Sequence, residues 1–429
     1  MTPHLRRTGW ILAGAGLAAI LFATLTPAPG SPVGSRVCLI CGAMGGVDAI
    51  LNVLLFVPFG AGLALAGVRF RWAILLVILL SASVETTQLF IPGRDTSLGD
   101  LTTNTIGGAL AYYVVWSAGA WMRPTPHHAA VLGVTASAVW LAIQAVTAFS
   151  LAASFPVSTY YGQIARELGN YELFRGRVIA ANIGTSPVPD SQFATTDSVA
   201  SRLRAGAVVS TSVIAGKPTN DIAPIVRIAD DEQDEVVLLG QSGEDEVFRV
   251  ATGADRLRLR PPVFALRDAF PRSQEAGAGS TVTITGRYRP GVVTLTAKRD
   301  DFAGARDISL APSLGWTLLL PFQWPIEGTP MERVASFLWT SVLLLPIGFW
   351  LRCATIDRGA GGRVRMAVSL GVLTVVCLGL AWVPLVYGVS GASIVDWCAG
   401  LTGLAGGALL ASVAVGKGAR APRSRGQFV

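Results

Sequence analysis

Charged residues are scarce in this sequence of 429 amino acids, where aspartate, glutamate, lysine and arginine together make up 14%. Soluble globular chains contain roughly a quarter of charged residues. Hydrophobic residues make up 51% of the chain, and the mean hydropathy is accordingly high at +0.52. This composition excludes an ordinary water-solvated surface and indicates that lipid covers much of the molecule.

Histidine and cysteine are also rare, with three and five residues respectively. A histidine-rich metal site or catalytic triad is therefore not expected, and the sequence predicts neither a metal nor a cofactor. No zinc-finger spacing, Walker loop or RNP motif is present. The net charge of +7 lies in short segments between apolar runs and in the tail Lys417–Arg425. That pattern indicates contact with membrane lipids and topology signals, and no nucleic-acid partner is predicted.

Eight apolar runs are long enough to cross a bilayer, which takes about 20 residues in a helix. They are residues 9–27, 49–67, 72–91, 101–121, 130–151, 332–351, 366–388 and 394–414. The first run follows Arg6 and Arg7 and lacks a clear cleavage site, so it is interpreted as an uncleaved helix instead of a signal peptide. The sequence thus predicts a polytopic α-helical membrane protein.

Orientation follows from the arginines. One side of the predicted membrane receives nearly all of them: Arg6, Arg7, Arg69, Arg71, Arg123, Arg352, Arg358, Arg363, Arg365 and the basic tail. The opposite short loops contain little besides Arg36 and Arg94. Positive loops face the cytoplasm, so both termini are predicted to be cytoplasmic, in a multi-pass protein of a plasma membrane.

Residues 152–315 separate the fifth and sixth runs and hold most of the acidic residues. Short strands are predicted at Arg175–Ala180, Ala207–Ile214, Ile225–Ile228, Glu235–Leu239, Glu246–Val250, Arg256–Arg260, Thr281–Arg287 and Val292–Ala297. Strands at such spacing predict an antiparallel sandwich, which the topology places outside the cytoplasm. Its strand pattern resembles concanavalin-like and laminin-G-like sandwiches, especially over Val236–Gln241 and Glu246–Leu266. Its acidic loop Asp230–Glu235 is interpreted as a solvated turn, with calcium binding as the alternative.

The helical parts look like a parallel duplication of four spans. Pro58, Gly60, Ser97, Asp100 and Gly107 match Pro346, Gly348, Ser393, Asp396 and Gly403 in order. The segment Leu318–Pro325 is too short to span and is interpreted as interfacial or re-entrant. The predicted domains are residues 1–125 (four-helix module), 126–151 (fifth helix), 152–315 (sandwich), 316–415 (second repeat) and 416–429 (basic tail).

Polar residues inside membrane spans are costly and point to function. In the first half they form three pairs near the predicted outer surface: Asp48 with Asn52, Glu85 with Gln88, and Asp100 with Asn104. Spacings of three or four place each pair on one helix face. Arg94 lies in the short loop between the third and fourth spans. The alternatives are a ligand or catalytic pocket, and a structural polar knot in which Asp48 and Asp100 also cap helix N-termini.

These residues carry a resemblance to a known family. Its pattern comprises Asp48, Asn52, Phe56, Pro58, Gly60, Glu85, Gln88, Arg94, Ser97, Asp100, Asn104 and Gly107. The run resembles the VanZ-like family, which is named for an accessory teicoplanin-resistance protein, over residues 9–121. The resemblance implies a four-helix membrane module of the bacterial envelope and no catalytic roles. The second half departs from the pattern, with Ala381 for Glu85, Ser390 for Arg94 and Gly400 for Asn104.

Cys38 and Cys41 form a CxxC in a loop that is predicted to lie outside the cytoplasm. An oxidising exterior favours a disulfide. Alternatives are a reduced pair, or a redox or metal role that lacks the context such motifs need.

The leading functional hypothesis is an envelope protein that binds a glycan or lipid-linked glycan at the outer membrane face. Its predicted ligand residues are Asp48, Asn52, Glu85, Gln88, Arg94, Ser97, Asp100 and Asn104. Arg94 would pair with a phosphate or carboxylate. One alternative is an enzyme acting on a lipid-linked substrate, with Glu85 as general acid or base and Asp100 or Asp48 as its partner. Another is a transporter or scramblase.

Overall fold

The computed structural model describes residues 2–27, 44–94, 96–169, 171–272, 279–355 and 361–419. Its helices are α1 (Pro3–Leu25), α2 (Gly45–Ala66), α3 (Phe70–Gln88), α4 (Leu98–Trp116), α5 (Ala118–Met122), α6 (Pro126–Leu151), α7 (Thr196–Arg204), α8 (Gly253–Arg256), α9 (Pro330–Thr355), α10 (Gly362–Ala381), α11 (Val383–Val386) and α12 (Ile394–Ala419). A 3₁₀-helix covers Pro312–Leu319. Eight of these helices correspond in order to the eight predicted spans.

Seven helices of the described chain are long and apolar enough to cross a membrane: α1, α2, α3, α6, α9, α10 and α12. They make this a multi-pass membrane protein. The exception among the long helices is α4, whose first half carries Asp100, three threonines and Asn104. Its role as an eighth span stays a prediction.

The described chain divides into two compact units. One comprises Met1–Val134, Phe349–Ser369 and Ala408–Val429, and the other comprises Thr135–Gly348 and Leu370–Gly407.

Glycines set the packing of the first helices. A Cβ atom on Gly60 would lie 2.1 Å from the carbonyl oxygen of Gly108, and one on Gly107 would lie 2.2 Å from that of Val53. Such distances are shorter than any van der Waals contact, so α2 and α4 touch through bare backbone. Close backbone approach at small residues is how membrane helices pack without a hydrophobic driving force.

The same kind of contact joins α9 to α12. A Cβ on Gly348 would lie 2.1 Å from the carbonyl oxygen of Leu404, and one on Gly403 would lie 2.3 Å from that of Ser341. Both α2 and α9 also contain an internal proline, Pro58 and Pro346.

The polar stretch folds into a β-sandwich region. Its strands are β1 (Tyr161–Ile164), β2 (Arg177–Ile183), β3 (Ser186–Pro187), β4 (Val208–Ile214), β5 (Ile222–Ala229), β6 (Glu235–Ser242), β7 (Asp245–Val250), β8 (Val263–Leu266), β9 (Thr281–Arg289), β10 (Val292–Arg299), β11 (Phe302–Ser309) and β12 (Pro325–Ile326). One sheet has the order β1-β5-β6-β7-β8-β12 and the other β11-β10-β9-β4-β2-β3. All pairings are antiparallel except β12 with β8. The concanavalin-like likeness stays a prediction.

One predicted strand, Arg256–Arg260, is wrong. Its alternating arginines and leucines mimic a strand, but Thr252 and Asp255 form a reciprocal capping box that begins α8. Arg258 then has a left-handed backbone with φ 52°. The prediction missed β1, β3, β8, β11 and β12, whereas the other seven predicted strands overlap β2, β4, β5, β6, β7, β9 and β10.

The sandwich is tied to helices of its own unit. Ser390, in the loop before α12, donates its backbone N–H to the carbonyl of Leu310 at 2.9 Å and its hydroxyl to the carbonyl of Gly291. Gly291 forms the turn between β9 and β10. The buried Glu332 carboxylate accepts the backbone N–H groups of residues 327–329 at the start of α9. Ser390 and Glu332 thus fix the ends of α12 and α9 against the sandwich and the segment that follows it.

We predict that the glycine contact of α2 with α4 tolerates no side chain. Gly60→Ala should lower the stability of the purified protein by about 1–3 kcal/mol because its methyl overlaps the Gly108 carbonyl. The control is Gly14→Ala on α1, where nothing lies within 4 Å of the added Cβ. Thermal unfolding in detergent checks both variants, and equal midpoints would contradict the contact.

A carboxyl group is completely buried in the sandwich. Glu246 on β7 is 0% exposed, and burial raises its pKa well above the usual value, only partly offset by the backbone N–H of Thr285. A raised folded-state pKa means that this group's contribution to stability is full below the unfolded pKa, about 4.3. The contribution is lost as pH rises toward the folded pKa.

We therefore predict that Glu246→Gln stabilises the protein at pH 7 by about 1–3 kcal/mol. The gain should shrink as the pH falls toward 4, because the wild-type carboxyl then becomes protonated in the unfolded protein as well as in the folded one. Thermal midpoints of the full chain between pH 4 and 8 measure it. Glu232→Gln, at an exposed loop carboxylate, is the control, and a gain that is independent of pH would contradict the argument.

Candidate functional site

Three helices bring polar side chains together in the first unit. Asn52 of α2 donates from Nδ2 to Oδ1 of Asp100, at the start of α4, at 2.8 Å. Glu85, near the end of α3, accepts the backbone N–H of Ser97 on Oε2 at 2.9 Å. These contacts join α2, α3 and α4 at one point, so the spacing argument brought the right helix ends together.

Ser97 explains why Asp100 is available. Ser97 is the N-cap of α4, and its hydroxyl accepts the N–H of Asp100 at 2.9 Å. In a capping box the acid three residues after the cap returns to the N–H of the capping residue. Here Glu85 of another helix takes that N–H, and the carboxylate of Asp100 interacts with the Ser97 hydroxyl and accepts the amide of Asn52.

Asp48 completes an acidic cluster, which we define as Asp48, Glu85 and Asp100. Asp100 lies within electrostatic range of both other carboxylates. Asp48 is exposed and lies in the first turn of α2. The structural-knot alternative had Asp48 as a cap of α2, but Met44 occupies the N-cap position, without a side-chain hydrogen bond. Like charges this close favour a counter-charge or a hydrogen-bond donor between them.

Arg94 is not that counter-charge. Its Nε donates to the carbonyl of Thr26 at 2.9 Å, and its Nη2 donates to the carbonyls of Ala23 and Thr26, each at 2.7 Å. A guanidinium at the C-terminal carbonyls of α1 satisfies orphan acceptors and suits the helix dipole. No ion pair joins Arg94 to a carboxylate within the residues that the structure describes.

Two of the predicted ligand amides serve packing. Gln88 donates to the carbonyl of Thr24 at 3.0 Å, and Asn104 donates to the hydroxyl of Ser81 at 3.0 Å. All four residues are buried. Sequence reasoning missed Thr24 and Ser81; Ser81 precedes Glu85 by four residues, a spacing that signals one helix face. The two amides thus support the structural-knot interpretation, while Asn52 belongs to the acidic cluster.

The N-terminus of α12 is capped by residues of its own segment. Ser393 donates both its backbone N–H and its hydroxyl to Oδ2 of Asp396 at 2.8 Å. The hydroxyl of Ser393 also accepts the N–H of Asp396 at 3.3 Å. In this capping box the N–H of the cap residue is accepted by the acid of its own helix, whereas at α4 it is accepted by Glu85 of α3. Asp396 is 5% exposed.

The cysteines and the acidic loop of the sandwich were further candidate sites. Cys38 and Cys41 fall outside the described residues, so their disulfide stays a prediction; Cys353, Cys377 and Cys398 are free. In the loop Asp230–Glu235, the Asp230 carboxylate accepts two N–H groups of its own turn, and Glu235 faces two arginines. Over the described ranges, no group of three or more His, Cys, Asp and Glu side chains suits a metal ion.

The acidic cluster, the polar pairs and the glycine contact all lie in the first four helices. Residues 14–120 match the model of the VanZ/LLP1 family. This VanZ-like module contains all eight predicted ligand residues and covers about a quarter of the chain. No curated protein matches the chain, and no solved structure matches it.

Arg94 should matter to the stability of the VanZ-like module. Arg94→Ala removes three charge-assisted hydrogen bonds to α1, and we expect a loss of about 1.5–3 kcal/mol. The matched control is Arg7→Ala, which removes an exposed arginine of α1 itself. Thermal unfolding of the purified protein measures both, and an unchanged midpoint for Arg94→Ala would show that α1 is held by other contacts.

Proposed function

We propose that this chain is a bacterial cell-envelope membrane protein whose VanZ-like module binds the hydroxyl-rich headgroup of a glycan or lipid-linked glycan. The observation that carries the proposal is the meeting of Glu85, Asp100 and Asn52 at the ends of three helices. The family match supports the envelope setting and the link to glycopeptide resistance that the family name implies.

Sugar hydroxyls are donors that carboxylates accept well, and hydrogen bonds to charged groups are roughly twice as strong as neutral ones. Oε1 of Glu85 accepts no hydrogen bond from the described residues, because only Oε2 is engaged by Ser97. Asn52 fixes the Asp100 carboxylate in place. A polyhydroxyl group meets acceptors there that are already oriented.

The surroundings suit a lipid-borne ligand. Leu89 and Phe90 follow α3 directly, and they are 50% and 82% exposed. These apolar side chains follow Glu85 by four and five residues in the chain, and their exposure offers contact to acyl or prenyl chains. Arg94 keeps its Nη1 group for a phosphate, since only its Nε and Nη2 bind α1.

We propose further that the second helical half is a degenerate copy and that the β-sandwich lies outside the cytoplasm. The matched glycine contacts of α2 with α4 and of α9 with α12 support the duplication. The distribution of arginines supports the sidedness. On this proposal the copy has Ala381 where the first half has Glu85, so it lacks the carboxylate that accepts the amide of the cap residue.

Headgroup binding is testable with the full-length protein in detergent. The probe is a fluorescent polyprenyl-phosphate glycan, and polyprenyl phosphate without sugar serves as the second ligand. Glu85→Gln keeps an acceptor for the Ser97 amide and removes the charge; with Asp100→Asn it should weaken glycan binding by at least about tenfold, or 1.4 kcal/mol.

Thr102→Val, on an exposed face of α4, and Glu232→Gln, in an exposed loop, should bind like the wild type. Equal affinity for the lipid with and without sugar would contradict headgroup recognition, as would unchanged affinity in Glu85→Gln. Conversion of the probe by the wild type but not by Glu85→Gln would assign the cluster an enzymatic role instead.

A further inference from the structure

A small, partly open pocket lies among the helices of the sandwich-bearing unit. Most of its lining is apolar, and four elements contribute polar side chains to it. These are Gln144 of α6, Ser313 of the 3₁₀-helix, Thr340 of α9 and Asp396 of α12. Leu380 and Pro384 form part of its apolar wall. None of these residues belongs to the VanZ-like module.

The polar groups of this pocket are buried and unused. Gln144, Thr340 and Asp396 are 6%, 2% and 5% exposed. The Gln144 amide and the Thr340 hydroxyl form no hydrogen bond with any described residue. Oδ1 of Asp396 also lacks a partner in that part of the chain, because the capping box engages Oδ2 alone.

The Thr340 hydroxyl lacks the hydrogen bond that a threonine in a helix usually makes. A threonine inside a helix commonly bonds the carbonyl four residues earlier, as Thr374 does with Leu370 and Thr402 with Cys398. Thr340 does not, although it is almost fully buried. Thr340 lines the pocket, so its unpaired hydroxyl is available to a molecule or ion that enters it. A ligand in the pocket would satisfy the hydroxyl and the Gln144 amide together.

The charge of the pocket indicates the class of ligand. A buried carboxylate needs a compensating charge, and none of the ion pairs among the described residues includes Asp396. Carboxylate, amide and hydroxyl oxygens are the ligands that hard cations prefer. One carboxylate balances one positive charge, whereas a divalent ion would leave an excess charge buried. We propose that this pocket binds a small monovalent cation, with Na⁺ as its representative.

The test uses the full-length protein in detergent and measures thermal unfolding in NaCl against choline chloride at equal ionic strength, so that screening is the same. A ligand that binds only the folded state raises the unfolding midpoint with its concentration. We expect such a rise with Na⁺ for the wild type. Thr340→Val and Gln144→Leu should move the half-effective Na⁺ concentration upward by at least about tenfold.

Thr402→Val, on the same helix as Asp396 and outside the pocket, is the matched control and should respond like the wild type. A separate titration with ethanolamine hydrochloride tests which kind of cation binds. If ethanolammonium raises the unfolding midpoint as Na⁺ does, the amine of a lipid headgroup can supply the positive charge. Equal curves in NaCl and choline chloride would overturn the proposal, as would an unaltered Na⁺ response in Asp396→Asn and Thr340→Val. Neither result depends on headgroup binding at the acidic cluster.

Discussion

The hydrogen bond from the Ser97 amide to the Glu85 carboxylate determines the rest of the first site. The first N–H groups of a helix need partners, and lipid supplies none. Because α3 provides that partner for the Ser97 amide, the Asp100 carboxylate does not have to accept it, and it interacts with the Ser97 hydroxyl and with Asn52 of α2. At the start of α12 no such outside acceptor takes the amide of Ser393, and Asp396 accepts it locally. A carboxylate on a neighbouring helix thus leaves the acid of α4 able to bridge to α2.

Backbone packing makes this arrangement reachable. Gly107 rests against the carbonyl of Val53, the residue next to Asn52 in the chain. A side chain at that contact would separate α2 from α4 by more than the length that a short Asn–Asp pair can bridge. Glycine at the helix contact and the polar pair near the helix ends are thus one design, in which close approach sets the distance and the amide fixes the carboxylate. The neutral amides of Gln88 and Asn104 hold the same helices from inside.

The helices and the site could be predicted where the signal lay in the side chains themselves. Apolar length gave the order of the long helices, and spacings of three and four gave the faces of Glu85 and Asp100. The role of Arg94 could not be found this way, because its partners are backbone carbonyls of Ala23 and Thr26, and a carbonyl leaves no mark in a sequence. The false strand at Arg256–Arg260 had a warning, since the spacing of Thr252 and Asp255 is that of a capping box. Edge strand β11, FAGARDIS, lacks a clean apolar alternation and was missed for that reason.

The two helical halves pack and cap their helices in similar ways, but they leave different polar groups without a partner. A glycine contact joins α2 to α4 in the first half and α9 to α12 in the second, and a serine caps α4 and α12. After these needs are met, the first half retains three carboxylates at helix ends, and the second retains one carboxylate oxygen, an amide and a hydroxyl that line a small pocket. Ser390, in the loop before α12, anchors the sandwich. A low dielectric makes every unpaired polar group expensive, and such a group is balanced either by a change of protonation, as at Glu246 in the sandwich, or by a bound partner. The polar groups that remain after the helix ends are capped are therefore the places where the two proposed ligands are expected to bind.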